Sequence, residues 1–166
     1  MLRLIPARLH RAALVAAHRL RRIWWRVRKP LLLGCRVLAF DGQGRVLLVR
    51  HSYGSGRWML PGGGIARGED PLAAGLRELR EEVGCGLAHA RDFDRVDEPL
   101  SGTTNRVHLI CGLIDGEPRP DGREIIEAVF HDPAALPDNM AVALEHGMAQ
   151  WVRAAEAVLP RRPGVD

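Results

Sequence analysis

Glu78, Glu81 and Glu82 are spaced i, i+3 and i+4, positions that share one face of a helix. Three carboxylates held that close repel one another unless a cation neutralises them. Hard divalent cations take oxygen ligands, and Mg²⁺ accepts a few carboxylates while keeping its other positions for water and phosphate. The cluster therefore reads as a platform for Mg²⁺, with Mn²⁺ as a substitute, in phosphate chemistry. The plain alternative is a solvated acidic face, which is common on surface helices. Just upstream, Pro61 is followed by Gly62, Gly63 and Gly64. Residues without side chains let a backbone come close to a metal or a pyrophosphate. Arg50, His51 and Arg57 flank the loop before this bend and are candidates to hold phosphate or base; solvated loop charge is the competing reading. Tyr53 and Trp58 offer ring faces to a nucleobase, and Trp58 fits equally well as packing. The seven histidines show no metal-ligand spacing, and neither a phosphate-binding P-loop nor a dinucleotide fingerprint is present.

These residues need elements to position them. Asp70 suits a helix N-cap, Pro71 a first helical residue and Gly84 a left-handed C-cap, so a helix is predicted over 71–83. Leu72, Leu76, Leu79 and Val83 mark its buried side, which leaves Glu82 facing solvent and metal rather than core. Before it, Cys35–Phe40 and Val46–Val49 form a hairpin around the turn Asp41-Gly42-Gln43-Gly44. After it, strands are expected near Val107–Ile114 and Ile125–His131. A single helix is expected from about Met140 to Val158, with Met140, Leu144, Met148, Ala155 and Val158 inward, together with Trp151 or Val152.

The segment from Gly63 to Cys85 resembles the Nudix box, G-x5-E-x7-R-E-U-x-E-E-x-G-U, where U is bulky and apolar. Gly63, Glu69, Arg77, Glu78, Leu79, Glu81, Glu82 and Gly84 fall in register, and Cys85 stands where an aliphatic residue is usual. The preceding Trp58-Met59-Leu60-Pro61 also looks like that family's lead-in. The resemblance implies an α/β/α sandwich with a mixed β-sheet and a water-driven cleavage of a phosphoanhydride bond. It implies that the Gly62 carbonyl, Glu78 and Glu82 bind metal. Glu81 would bind a second metal or orient the attacking water. Glu69 would pair with Arg77 to brace the loop against the helix. One more carboxylate is usual from a later loop; Glu124 and Glu127 are the candidates, with Glu127 preferred. The implied substrate is a small-molecule nucleoside diphosphate derivative. Pro99 tilts this toward a nucleotide sugar such as ADP-ribose, with nucleoside triphosphates close behind. A non-catalytic sensor of the same fold, and a membrane-associated hydrolase of lipid-linked diphosphates, are the alternatives.

The charge is unevenly distributed. Residues 1–40 carry ten Arg and Lys and no acid, while residues 41–166 hold 14 basic and 20 acidic residues, for a net −6. The basic balance thus belongs to an N-terminal arm, and no nucleic-acid partner is expected. Residues 2–28 read as a basic amphipathic helix with apolar residues at steps of three and four. It would pack on the body or on a second copy in a homodimer; contact with an anionic membrane surface and a targeting role are the alternatives. The division expected is an arm at 1–30, one α/β domain at 31–159 and a tail at 160–166. Three cysteines without Cys-x-x-Cys spacing read as buried free thiols in a reducing cytoplasm.

Overall fold

The computed structural model describes residues 32–100 and 103–160. The expectations for the N-terminal arm and for the tail after 160 lie outside those residues. The described chain folds as β1 (Leu32–Phe40), β2 (Val46–His51), β3 (Trp58–Met59), α1 (Pro71–Val83), β4 (Gly86–Leu100), β5 (Thr103–Asp115), β6 (Ile125–His131), α2 (Val142–Glu145) and α3 (Met148–Val158). The six strands make one mixed sheet in the order β3-β2-β1-β5-β4, with β6 also paired to β2. β1 and β5 run parallel, and the other pairs are antiparallel.

Alternation along the central strands decides what faces which layer. Val37, Leu47, Val49 and Ile110 meet Ala74, Leu79 and Val83 of α1 on one side. Leu38, Phe40, Leu48 and Leu109 meet Leu144, Met148, Trp151 and Ala155 on the other. This is the α/β/α sandwich that the box implies. Burying one leucine-sized side chain such as Leu79 stabilises the fold by roughly 1.5–3 kcal/mol.

The helix caps follow from residue type. Asp70 accepts a hydrogen bond from the Ala73 amide, Pro71 opens the helix, and Gly84 closes it at φ 72°. The buried stripe differs from the leucine pattern. Ala74, Gly75, Leu79, Glu82 and Val83 are buried, whereas Leu72 and Leu76 are only partly covered. The cause is a close approach: a Cβ on Gly75 would stand 2.4 Å from Ile110 Cδ1, so the helix lies on the sheet along its smallest residues.

Two other expectations change. The C-terminal helix is broken at His146–Gly147 into α2 and α3. Trp151 folds back over the break, and a Cβ on Gly147 would stand 2.3 Å from its ring. Val158, expected inward, is exposed. The sequence pattern also missed β4, a 15-residue strand. Register shifts between Ala88 and Arg91, and between Asp92 and Asp94, break its alternation. β4 ends the sheet order, so it tolerates Pro99 opposite Thr104.

One irregularity creates the site. β1 and β2 are registered only at the turn end, Phe40 opposite Val46. Beyond it they part, and the glycine bend fills the gap. Val37 N donates to Pro61 O, Cys35 N to Gly63 O, and Ile65 N to Leu33 O.

Candidate active site

The bend is shaped by one position where only glycine fits and by a second pressed against a side chain. Gly62 has φ 144°, and a Cβ there would stand 2.2 Å from the Cys35 carbonyl oxygen. A Cβ on Gly63 would stand 2.6 Å from the Glu78 carboxylate. The backbone therefore lies flush against the acidic face of α1. The Gly62 amide donates to Glu82 Oε2 at 3.2 Å, and His51 Nε2 lies 3.5 Å from Glu82 Oε1. Glu82 is 5% exposed, so the expectation that it faces solvent is corrected. It points into the seam between helix and bend, because α1 rests on Gly75 and turns this face inward.

Burial sets the electrostatics. It pushes the Glu82 carboxyl above the usual carboxylate range, against the pull of His51 and the Gly62 amide. Glu78 is raised as well, first by burial and with Arg77 opposing. Glu81 is largely exposed and 3.3 Å from Arg77. Arg77 is the local counter-charge. Its Nε donates to Glu69 Oε1 at 2.8 Å and its Nη2 to Glu69 Oε2 at 3.1 Å. It also donates to Glu78 at 2.8 Å and to the Gly64 carbonyl at 3.1 Å. These contacts raise the guanidinium pKa further and hold the Glu69 carboxyl below its ordinary value.

The donor set suits a hard divalent cation: two carboxylates that burial makes unfavourable as bare anions, beside a backbone cradle that any side chain would fill. Among the described residues, no three His, Cys, Asp or Glu side chains are arranged to hold an ion together. Glu81 turns to Arg77 instead. A cation bound between Glu78 and Glu82 would therefore draw on backbone carbonyl oxygen and water, or on a rotated Glu81.

The two later acids separate. Glu124 adds to the charges that raise Glu78, and its carbonyl accepts from the Ser52 amide at 2.7 Å. Glu127 stands opposite Arg50 in the β2–β6 register and pairs with it at 2.5 Å. Arg50 lies over the Trp58 ring, on the α3 side of the sheet, since its neighbour Val49 packs toward α1. Glu127 is thus on the face away from Glu78 and Glu82. The structure does not bring Glu127 or Arg50 to the cluster; alternation along β2 and β6 sends both to the other layer.

Next to the bend opens a cavity of about 450 Å³. Gly62, Gly63, His51, Tyr53, Arg57 and Met59 line it, together with Arg36, Leu100, Asn105 and Val107. Arg57 donates to the Met140 carbonyl at 3.2 Å and lies 3.5 Å from Glu145. Trp58 is not in this lining; it packs in the α3 layer, edge-on to His131 at 5.1 Å. Sequence reasoning missed Arg36, Glu98 and Asn105. Only Arg36, a charge within an apolar strand, left a signal.

The comparisons with known proteins fit this geometry. The family model described as NUDIX domain matches residues 30–160. The chain is 43% identical over 91 residues to a putative 8-oxo-dGTP diphosphatase 2 of Mycobacterium tuberculosis, covering 54% of this chain and 60% of that protein. It thus spans about three fifths of that relative's length. It is 47% identical over 132 residues to an RNA pyrophosphohydrolase of Roseobacter denitrificans, covering 74% and 76%. The solved structure of a MutT NUDIX hydrolase from Burkholderia pseudomallei superposes with a TM-score of 0.65 at 24% identity, over 75% of this chain and 98% of that one. At that identity the superposition speaks for the fold. With the box in register, its glycines flush against the acidic helix and the family model spanning all the described residues, this chain belongs to the Nudix family.

Proposed function

We propose that the protein hydrolyses a phosphoanhydride bond in a nucleoside diphosphate derivative, with Mg²⁺ as the activating ion and Mn²⁺ able to replace it. One observation carries the reading: Glu82 is buried against the amide of Gly62, and Gly62 lines a cavity large enough for a nucleotide. A buried acid with so few partners is costly unless a cation joins it.

Glu78, Glu82 and the Gly62 carbonyl would hold the ion, and Glu124 would supply the later carboxylate. The ion, when bound, lowers the pKa of coordinated water and offsets charge growing on the phosphoryl oxygens. Glu81, exposed and on the same helix face, would orient the attacking water and accept its proton. The water oxygen bonds to phosphorus, the bridging P–O bond breaks, and the leaving phosphate carries the electron pair away. Gly63 would let the backbone face the diphosphate, and Arg57, which lines the cavity, would bind a phosphate or a base.

The names of the relatives favour a nucleoside triphosphate or RNA over the nucleotide sugar suggested by Pro99. The nucleic-acid partner discounted from charge alone is therefore part of the test. Purified protein should be offered nucleoside triphosphates, 8-oxo-dGTP, nucleotide sugars and 5′-triphosphate RNA, with Mg²⁺, Mn²⁺ or EDTA, and the products identified. Metal-dependent release of pyrophosphate or of a nucleoside monophosphate is expected. Specific binding without turnover of any of them would favour the sensor reading.

A further inference from the structure

Beside the glycine bend, Arg36 and Asn105 line the cavity as polar groups that differ in one respect. Arg36 is paired. Its guanidinium donates two hydrogen bonds to Glu98, one of them at 2.8 Å, and it lies 5.9 Å from the Trp151 ring centroid. Glu98 stands directly opposite Asn105 in the β4–β5 register, so this ion pair flanks the asparagine. Asn105 is half-buried and lines the cavity. Among the described residues its amide has no hydrogen-bond partner. An amide that faces the cavity and pairs with no protein group is free to exchange water for a ligand.

Gly34 explains how a ligand reaches it. A Cβ there would lie 3.3 Å from the Gly63 carbonyl oxygen and 3.4 Å from Asn105 Oδ1. Gly34 is thus a saddle between the glycine bend and the asparagine, kept open because it carries no side chain. A molecule with its diphosphate at Gly63 can lay its other end across Gly34 onto Asn105.

We infer that Asn105 reads the nucleobase: its amide pairs with a donor beside an acceptor on the inserted edge, and the base whose ring shape brings that pair onto Asn105 binds best. An asparagine amide offers the complementary acceptor and donor side by side, a pairing that discriminates between bases when bidentate. Arg36 and Glu98 neutralise each other and do not compete for the base. Leu100 and Val107 supply apolar contact to the ring. The inference rests on the proposed nucleotide substrate but not on turnover.

The test is calorimetric titration of the full chain, in Mg²⁺, with the α,β-methylene analogues of ADP, GDP, CDP and UDP, which cannot be cleaved at that bridge. The wild type should bind its best base at least ~10-fold more tightly than its worst, the scale of one good bidentate contact. Asn105→Leu should bring the four dissociation constants to within about twofold of one another, and Asn105→Asp, which removes the donor, should reorder them. Gly34→Ala, whose Cβ would press on the Gly63 carbonyl oxygen at 3.3 Å and on Asn105 Oδ1 at 3.4 Å, should weaken all four together. Unchanged spread in Asn105→Leu, with a native circular dichroism spectrum, overturns the inference; so does a wild type that binds all four equally. Base-selective binding without hydrolysis of the natural nucleotides would overturn the proposed hydrolase and leave the role of Asn105 standing.

Discussion

The Gly62 amide donates to Glu82 Oε2 at 3.2 Å across twenty residues of sequence. That bond ties the glycine bend to the helix and fixes the orientation of an acid that is otherwise buried. Glutamine at 82 keeps the acceptor and the volume but not the charge. Glu82→Gln should therefore lower turnover of the identified substrate by ~10³-fold or more. Its melting temperature without metal should stay within a few degrees of the wild type or rise, because a buried charge is removed. Near-normal turnover in Mg²⁺ would remove Glu82 from the mechanism.

Gly62→Ala tests the bend itself. Its Cβ would meet the Cys35 carbonyl oxygen at 2.2 Å in a backbone held at φ 144°. The cost should exceed ~3 kcal/mol in denaturant unfolding. Gly54→Ala, with φ 84° and open space around it, should cost only about 1 kcal/mol. Equal costs at the two positions would show that the close approach to Cys35 does not constrain the fold.

Arg77 gathers Glu69, Glu78 and Glu81 through one guanidinium. Arg77→Ala should lose ~1–3 kcal/mol and also turnover, since the acids of α1 lose their counter-charge. Arg77→Lys should restore little, because an ammonium lacks the fork that reaches Glu69 and Glu78 at once. Recovery of both stability and rate by lysine would mean that charge alone suffices there.

Glu124 and Glu127 can be separated directly. Glu124→Gln should raise the Mg²⁺ concentration needed for half-maximal turnover about tenfold or more. Glu127→Gln should leave it unchanged and affect only the pairing with Arg50. The reverse pattern would place the later carboxylate on the other sheet face.

Burial pushes the Cys111 thiol from 9.0 up to about 11. A folded pKa above the unfolded one means that the native state holds the proton more tightly. The stability this contributes is complete below pH 9 and is lost as pH rises through 11. Unfolding midpoints measured from pH 8 to 11 should fall less steeply in Cys111→Ala than in the wild type. Iodoacetamide at pH 8 should label Cys111 only in denaturant; equally fast labelling of native protein would contradict its burial.

The sequence by itself determined the local chemistry. Asp70, Pro71 and Gly84 bound the helix because capping is satisfied within a few residues, and the spacing of Glu78, Glu81 and Glu82 placed three acids on one face of it. The hairpin around Asp41 is local in the same sense: its carboxylate accepts from the Gln43 and Arg45 amides. Tertiary structure decided what depends on which layer covers an element. Glu82 is buried rather than exposed because α1 rests on Gly75, a contact with Ile110 that no helical period encodes. Glu127 leaves the site because alternation along β6 turns that position to the other layer, and β4 stayed hidden because bulges break its alternation. Asn105 matters only because Gly34, on a strand distant in sequence, lacks a side chain. Local propensity fixes elements, whereas packing across the sheet fixes which of their side chains meet.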